Sequence, residues 1–281
     1  MKPHAKQLLW ATPVFTGLMI IIFLVPPVWK LKNGPIEIVR WPKTGEKIVT
    51  IGPQEANWVN IKNVSRHVIN AIVVAEDSRF YTHHGVDLAE IEKSIQKNLR
   101  EKRFVRGAST ITQQVVKMSF LSPQKSILRK TREAIGALLL EMILDKDQIL
   151  NWYINMLEFG DGVFGISNAA QHYFATKAEL LTIQHGAHLA LVLPSPNGWS
   201  KGLRERKLTE FGHKRYTEII TRMKNRGFIT NTLWLNALAT GDFGRPVNQW
   251  YAVTMKKKPR KTFSSKPKIE AKPADRKTLE E

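Results

Sequence analysis

The sequence predicts a mainly α-helical protein preceded by one transmembrane helix. Apolar residues recur at three- to four-residue spacing almost throughout 64–228, which is typical of amphipathic helices. Residues 8–29 form an uncharged run of 22 residues, long enough at ~1.5 Å rise per residue to cross a hydrocarbon core of ~30 Å. β-Prone pieces occur in the stretch 33–63, between glycines and prolines, which predicts a linker with a small hairpin.

Composition and charge limit the kinds of partner and site. The chain has 281 residues, a formal net charge of +19 and no cysteine. Without cysteine there is neither a disulfide framework nor a thiolate metal site. So large a positive charge indicates an anionic partner, and charge alone leaves nucleic acid, anionic lipid headgroups and a phosphorylated substrate open.

The apolar run 8–29 is predicted to be a retained anchor. No cleavage site of small residues follows it, as a cleaved signal peptide would require. Its orientation stays open, because Lys2 and Lys6 precede the run while Lys30 and Lys32 follow it. The positive-inside count therefore does not favour a cytoplasmic N-terminus.

We expect six segments along the chain. They are 1–7 before the span, 8–29 as the transmembrane helix, 30–63 as the linker, 64–230 as the helical domain, 231–254 as a C-terminal extension and 255–281 as a basic tail. The tail has ten Lys/Arg against four Asp/Glu and almost nothing apolar, so we expect it to be disordered. On a membrane-anchored chain we expect it to attract anionic headgroups rather than nucleic acid.

Two adjacent carboxylates, Glu76 and Asp77, lie at the end of an apolar run with helical spacing, and Gly85 is the predicted stop of that helix. Glu76 would then lie near the negative end of the helix dipole. Burial against Phe80 and Tyr81 would act in the same direction, raising its pKa. A carboxylate with a raised pKa suits a general base near neutral pH. The alternative is an exposed acidic pair at a helix end.

A second candidate is the hydroxyl-rich segment 106–117. Thr110 and Gln113 have capping-box spacing, which predicts the start of a helix. Thr110, Gln114 and Lys117 then share one polar face. A helix N-terminus with hydroxyls and a lysine suits phosphate or polar sugar groups. The alternative is an ordinary amphipathic helix with a good cap.

A longer helix is predicted from Ser122-Pro123 to about Leu144, with the proline at its first position. Its predicted core stripe consists of four apolar residues, Leu128, Ile135, Leu139 and Met142. Glu133 would then point almost the opposite way, beside small residues that leave room for a ligand. The alternative is a surface pair of Arg129 and Glu133, worth only ~0.3–0.5 kcal/mol.

Other patterns indicate structure rather than chemistry. Residues 146–155 predict a helix that serves mostly core packing. Residues 159–165 contain a G-x-G-x-x-G string, but a helix precedes it, so the context excludes dinucleotide binding and its glycines are expected at positive φ in a tight loop. His185 and His188 are three apart on a helix without an evident third ligand, so we expect no metal site there.

Four strings in this order, EDSRFYTHHG, GASTITQQVVK, RKTRE and KDQILNWYIN, closely resemble the signature motifs of peptidoglycan glycosyltransferases, glycosyltransferase family 51. The resemblance runs from about residue 47 to 230, and the chain looks like the monofunctional biosynthetic kind. It implies a lysozyme-like helical domain with a small membrane-proximal lobe. It also implies a cytoplasmic N-terminus and a single-pass protein of the bacterial inner membrane, with the catalytic domain on the periplasmic side.

By position, the resemblance implies that Glu76 is the general base, with Asp77 beside it, and that Glu133 is the second essential glutamate. It implies substrate binding by a larger set, namely Asp77, Ser109, Thr110, Gln113, Gln114, Lys117, Lys125, Arg129, Lys130, Asn155 and Arg215. There are departures from the family pattern. Met118 replaces the usual asparagine, Lys125 replaces an arginine that often contacts phosphate, and Lys214-Arg215 replaces two arginines of the fifth motif.

The activity implied by the resemblance is polymerisation of lipid II into β-1,4-linked glycan strands with release of undecaprenyl pyrophosphate. Lipid II, the lipid-linked glycan chain, the membrane and other cell-wall synthesis proteins are the implied partners, and nucleic acid is not among them. No cofactor is required, although Glu133 leaves room for a divalent cation, Mg²⁺ or Mn²⁺.

Two rival readings remain open from the residues. A glycan-cleaving enzyme on the same kind of fold would also use two carboxylates, although a phosphate clamp of lysines argues against a neutral leaving group. A membrane scaffold without activity would bind anionic lipid and tolerate replacement of both glutamates.

Overall fold

The computed structural model describes residues 24–40, 45–103 and 107–241, and the predicted helical class is confirmed within them. The helices are α1 (Lys30–Asn33), α2 (Arg66–Glu76), α3 (Leu88–Glu101), α4 (Ile111–Phe120), α5 (Ile127–Ile143), α6 (Lys146–Met156), α7 (Ile166–Phe174), α8 (Ile183–Val192), α9 (Pro196–Arg204), α10 (Glu210–Asn225) and α11 (Asn231–Thr240). Single 3₁₀ turns occur at Ile61–Asn63 and Ala178–Leu180. The strands are β1 (Ile36–Arg40), β2 (Lys47–Ile51), β3 (Glu158–Gly160) and β4 (Val163–Phe164).

The predicted hairpin is confirmed as the antiparallel pair β1–β2, whose register runs from Ile36 opposite Ile51 to Arg40 opposite Lys47. Alternate residues of β1 are buried, as expected for a strand with one covered face. The Arg40 guanidinium donates to the Met156 carbonyl at the end of α6. The hairpin is therefore fixed to the helical core rather than free of it.

The centre of the core is the contact between α2 and α8. A Cβ at Gly186 would lie 2.9 Å from the Val68 Cα, so only glycine allows this close approach of the two helices. Val68, Ala71 and Ile72 have no exposed surface. Because α2 is fixed along its length, the position of Glu76 at its last turn is also fixed.

The helix α2 ends at Glu76 rather than at Gly85, so the predicted stop is wrong by nine residues. Asp77 leaves the helical region with φ −152° and ψ 78°, because its carboxylate is drawn into contacts with other segments described below. Gly85 has φ +83°, and a Cβ there would lie 2.7 Å from the Ala137 carbonyl oxygen. Its glycine therefore serves a close approach between segments.

The helix α5 differs from its prediction in its start and in its buried face. It begins after Ser126, whose hydroxyl accepts from the Arg129 amide, and not at Pro123. The predicted stripe is wrong for two of its four residues: Met142 is 79% exposed and Leu128 is 44% exposed, whereas Ile135 and Leu139 are partly buried. The buried residues are instead Glu133, Gly136, Ala137 and Leu140. The small face is buried because a Cβ at Gly136 would lie 2.6 Å from Val116 of α4.

The loop around 159–165 agrees with its prediction only in part. Gly162 and Gly165 have φ of +78° and +79°, in the region that glycine favours. The G-x-G-x-x-G string begins in β3 rather than directly after a helix, so that part of the expectation is wrong. The strand β3 pairs antiparallel with β4 across the loop, so these residues do not form the parallel βαβ unit of a dinucleotide site.

Across the part of the chain that the structure describes, we find no helix with both the length and the apolar character needed to cross a bilayer. Of the predicted span 8–29, residues 8–23 lie outside the described residues. Residues 25–29 are described and are not helical, and Val28 is buried in the core, so the predicted C-terminal end of the span is wrong. The predicted basic tail 255–281 and residues 242–254 of the predicted C-terminal extension also lie outside them.

Candidate active site

Glu76 is partly buried at the C-terminal end of α2. Its Oε2 atom accepts a hydrogen bond from Nε2 of Gln114 at 3.0 Å. Loss of hydration raises the pKa of the Glu76 carboxyl, and the neighbouring charge of Asp77 acts in the same direction. The Gln114 bond and the positive charges of Arg215 and Lys117 oppose this shift. The direction of the shift agrees with the sequence prediction, and its main cause is burial.

Asp77 connects the first motif to the second. Its buried Oδ2 atom accepts from Nε2 of His83 at 2.8 Å and from the backbone amide of Ile111 at 3.0 Å. The Ile111 amide belongs to the first turn of α4, where backbone donors lack intrahelical partners. Asp77 therefore positions α4 against the end of α2, which brings Gln114 to Glu76.

The predicted capping box at the start of α4 is confirmed. The Thr110 hydroxyl accepts from the Gln113 amide, and the Gln113 side chain accepts from the Thr110 amide at 3.0 Å. The Thr110 hydroxyl also donates to the Gly85 carbonyl at 2.6 Å. Both side chains are buried and engaged in these bonds, so the structure gives Thr110 and Gln113 a supporting position behind the polar face.

Glu133 is 2% exposed, and both of its oxygens are paired. Oε1 accepts from the Arg129 guanidinium, and Oε2 accepts from Nζ of Lys130 at 2.6 Å. Nζ of Lys130 also donates to the Ser109 hydroxyl at 2.8 Å. The alternative of a surface pair is therefore wrong, because the carboxylate is buried and holds two cations on one side of α5.

The charge of Lys117 interacts with both glutamates. Burial lowers the pKa of its ammonium group, and the charges of Arg129 and Lys130 lower it further. The carboxylates of Glu133 and Glu76 both raise it. Electrostatic interactions of this kind act only at short range. The charge of Lys117 therefore interacts both with Glu76 and with the cluster around Glu133.

The remaining predicted residues are Arg215, Lys125 and Asn155. Arg215 of α10 lies 3.3 Å from Glu218, and its positive charge also acts on Glu76. Lys125 is exposed in the segment between α4 and α5. The Asn155 side chain is engaged elsewhere, since it accepts from the Val59 amide at 2.9 Å and donates to the carbonyls of Val59 and Asn151. Asn155 thus fixes an extended segment onto α6.

Sequence reasoning missed Tyr153, which it assigned to core packing. Its side chain is fully buried in α6, and its hydroxyl donates to Oε1 of Gln114 at 3.0 Å. A buried tyrosine hydroxyl needs a partner, and this was the only signal in the sequence. A second missed group supports the site from behind: Oε1 of Glu141 accepts from Thr112 and from Lys146, each at 2.6 Å.

The described residues contain no group of three or more His, Asp or Glu side chains that could hold a metal ion. Both Glu133 oxygens already accept from cations, so a divalent ion there would have to displace a positive charge. His185 and His188 lie on α8 within packed surroundings, and burial lowers the pKa of His188 to about 3. Within the described residues, His185 and His188 do not belong to a group of three or more potential metal ligands.

The arrangement has the parts of a group-transfer site for an anionic leaving group. A partly desolvated carboxylate can take a proton, and Lys117, Lys130 and Arg129 present positive charge nearby. Such fixed charges stabilise negative charge that develops on a leaving group.

Comparisons with known proteins agree with this arrangement. The sequence profile of the transglycosylase family matches residues 44–224. The chain is 37% identical over 204 residues to the biosynthetic peptidoglycan transglycosylase of Dechloromonas aromatica, covering 68% of this chain and 87% of the relative. It is 45% identical over 139 residues to that of Nitrosomonas europaea, covering 50% of this chain and 57% of the relative. It is also 35% identical over 188 residues to penicillin-binding protein 1F of Bacillus subtilis, covering 67% of this chain and 26% of the relative. The resemblance indicated by the motifs is therefore confirmed, and the chain belongs to the transglycosylase family.

Proposed function

We propose that the protein is a peptidoglycan glycosyltransferase that polymerises lipid II into β-1,4-linked glycan strands and releases undecaprenyl pyrophosphate. One observation carries the proposal. The helix α4 connects a partly buried carboxylate to a cluster of cations: Gln114 of α4 donates to Glu76, and Lys130 of the Arg129–Lys130–Glu133 cluster donates to Ser109 just before α4. Lys117 of the same helix interacts electrostatically with both glutamates. A proton acceptor and a cationic clamp therefore share one site.

In the reaction, Glu76 takes the proton from the 4-hydroxyl of the acceptor lipid II. The oxygen attacks the anomeric carbon of the lipid-linked glycan chain, and a β-1,4 bond forms with inversion. The bond from that carbon to the pyrophosphate oxygen breaks, and its electron pair leaves with the pyrophosphate. General-base help of this kind contributes ~10²–10⁴-fold to the rate.

The pyrophosphate gains negative charge as the bond breaks. Lys117, Arg129 and Lys130 stabilise that charge, and Lys125 supplies a further exposed cation at the rim. Glu133 contacts neither sugar in this scheme. It holds Arg129 and Lys130 in place, so that their charges are oriented before the reaction starts.

The membrane belongs to the proposal because both substrates are lipid-linked. Two helices carry exposed apolar residues on one side each. On α3 these are Leu88, Ile95 and Leu99, and on α5 they are Ile127, Leu128, Leu138 and Met142. Exposed rows of three or four large apolar side chains on one side of a helix suit contact with a lipid surface. We propose that these helices form the membrane-proximal lobe of a lysozyme-like domain at the periplasmic face of the inner membrane, anchored by residues 8–29.

The experiment that tests the function uses the full-length chain in detergent with purified lipid II, and separates the products on a gel. We expect a ladder of glycan strands together with free undecaprenyl pyrophosphate. A parallel incubation with isolated sacculi separates this function from glycan cleavage. Soluble fragments released from sacculi, without polymer from lipid II, would overturn the proposal.

A further inference from the structure

We propose that Tyr153 is a positioning residue that holds Glu76 in its proton-accepting form, by fixing the orientation of the Gln114 side-chain amide. The proposal rests on the proposed function, because it assigns a role in proton transfer at the same site.

Three side chains from three helices form an unbroken chain of hydrogen bonds. The Tyr153 hydroxyl donates to Oε1 of Gln114 at 3.0 Å. Nε2 of the same amide donates to Oε2 of Glu76 at 3.0 Å. Tyr153 has no exposed surface, so water does not compete for its hydroxyl. The direction of donation therefore runs from the tyrosine through the amide to the carboxylate.

The direction follows from what each group can do. A phenol carries one proton to donate, and burying that proton without an acceptor is unfavourable. The Gln114 carbonyl is the acceptor that the geometry supplies. With its carbonyl held by Tyr153, the amide can present only its NH₂ group to Glu76. A turned amide would bring two acceptors together unless Glu76 were protonated, in which case it could no longer act as a base.

Tyr153 remains a donor over the working pH range. Burial raises its pKa well above the ordinary value of 10.0, and the negative charges of Glu76 and Asp77 act in the same direction. The bond from Gln114 favours the charged form of Glu76, as a donor to a carboxylate must.

Other charged groups face Glu76 and limit the size of the effect. Arg215 from α10 and Lys117 from α4 favour the carboxylate, whereas Asp77 and burial disfavour it. The amide is thus one of several opposing influences. Loss of the orientation therefore removes only one of the influences that favour the carboxylate, and it raises the pKa of Glu76 further.

The test is the pH dependence of kcat/KM for lipid II polymerisation by Tyr153→Phe. Without the hydroxyl, the amide can turn, and the pKa of Glu76 rises further. We expect the acid limb to move to higher pH by about 0.5–1 unit, with a rate close to wild type above that limb. A purely structural tyrosine would instead lower the rate equally at every pH, and either that result or an unmoved limb overturns the proposal.

Tyr173→Phe is the matched control. The Tyr173 hydroxyl is also buried and donates to the Phe159 carbonyl at 2.8 Å, away from Gln114. We expect its acid limb to coincide with that of the wild type. A similar shift in this variant would show that loss of any buried hydroxyl changes the profile, which would reject the role given to Tyr153.

A second set of variants tests whether Tyr153 acts through Gln114. It also provides a measurement that does not depend on the folding of Tyr153→Phe alone. Gln114→Met should move the acid limb in the same direction, and Tyr153→Phe should add nothing in that background. An additive shift in the double variant, or no shift in Gln114→Met, would reject the chain. Because every measurement is made relative to wild-type polymerisation, a wild type without polymer would instead reject the proposed function.

Discussion

The carboxylates of Glu76 and Glu133 both raise the pKa of Lys117, but the two carboxylates have different surroundings. Glu76 ends the helix α2 and accepts a hydrogen bond from a neutral amide. Glu133 lies inside α5 and accepts from an arginine and a lysine. The Gln114 bond and the nearby positive charges do not fully offset the burial of Glu76, so its pKa is raised. The second is compensated by two cations.

The comparison shows that the same side chain serves two functions through its partners. A carboxylate that is short of donors gains from taking a proton, which suits a base. A carboxylate with two cationic donors serves instead to hold those cations in place. Replacing each glutamate by glutamine should therefore have different effects on activity and on stability.

The largest effect is expected for Glu76→Gln. Glutamine has nearly the same shape but cannot take the proton, so polymerisation should fall by ~10²–10⁴-fold or more. The melting temperature should not fall, because a poorly solvated charge has been removed. Gel analysis of lipid II products and thermal unfolding would measure both. Glu158→Gln is a matched control, since burial also raises the pKa of Glu158 but it lies on β3. Near-normal glycan synthesis by Glu76→Gln would reject the base assignment.

The next effect is expected for Glu133→Gln, and it should include stability. Glutamine leaves Arg129 and Lys130 without a counter-charge. Because Lys130 is 46% exposed at its side chain, we expect a loss of about 1–2 kcal/mol rather than the ~3–5 kcal/mol of a fully buried pair. Misplaced cations should slow polymerisation by ~10–10²-fold. Thermal unfolding would measure the loss of stability, and kcat for lipid II polymerisation would measure the loss of activity. A variant as stable as Glu76→Gln would show that the two glutamates do not differ as described.

A smaller effect is expected for Arg215→Gln, read from the pH profile. Glu76 must be ionised, so the rate falls as pH drops through its raised pKa, above the ordinary 4.5. Lys117 must be charged, so the rate falls again as pH rises through its lowered pKa, below the ordinary 10.5. Arg215→Gln removes a charge that favours ionised Glu76, so the acid limb should move to higher pH. If the alkaline limb moved instead, the charge of Arg215 would act on Lys117 rather than on Glu76.

The smallest effect is expected for removal of divalent cations. Both Glu133 oxygens are already paired with cations of the protein, so we propose that the protein supplies the necessary positive charge. Wild-type polymerisation in a chelator should stay within about twofold of its rate with Mg²⁺ or Mn²⁺. Complete loss in the chelator, restored by adding either ion, would show that Glu133 shares its site with a metal.

The local features of the fold could be predicted well from the sequence. The capping box of Thr110 and Gln113, the hairpin β1–β2 and the last-turn position of Glu76 all agree with the structure. Each depends on residues that are near one another in the chain or on a repeated spacing. The role of Glu76 stays a proposal, although its partly buried position was anticipated.

The buried face of α5 could not be predicted in the same way. Hydrophobicity favoured Leu128 and Met142 as the core stripe, yet the helix buries the side that carries Glu133 and Gly136. The close approach to Val116 decides this, and it depends on a helix that is distant in the sequence. The exposed apolar side is then left for a lipid surface in our proposal.

By itself, the sequence determined the helical class, the capping box of α4 and the residue types that carry chemistry, because these depend on local spacing and on side-chain identity. Only the tertiary structure decided which partner each carboxylate has. It places Gln114 beside Glu76 and Tyr153 behind Gln114, and it gives Glu133 two cations. The physical reason is that desolvation and hydrogen bonding are set by neighbours from other helices, and these neighbours decide whether a carboxylate accepts a proton or holds a cation.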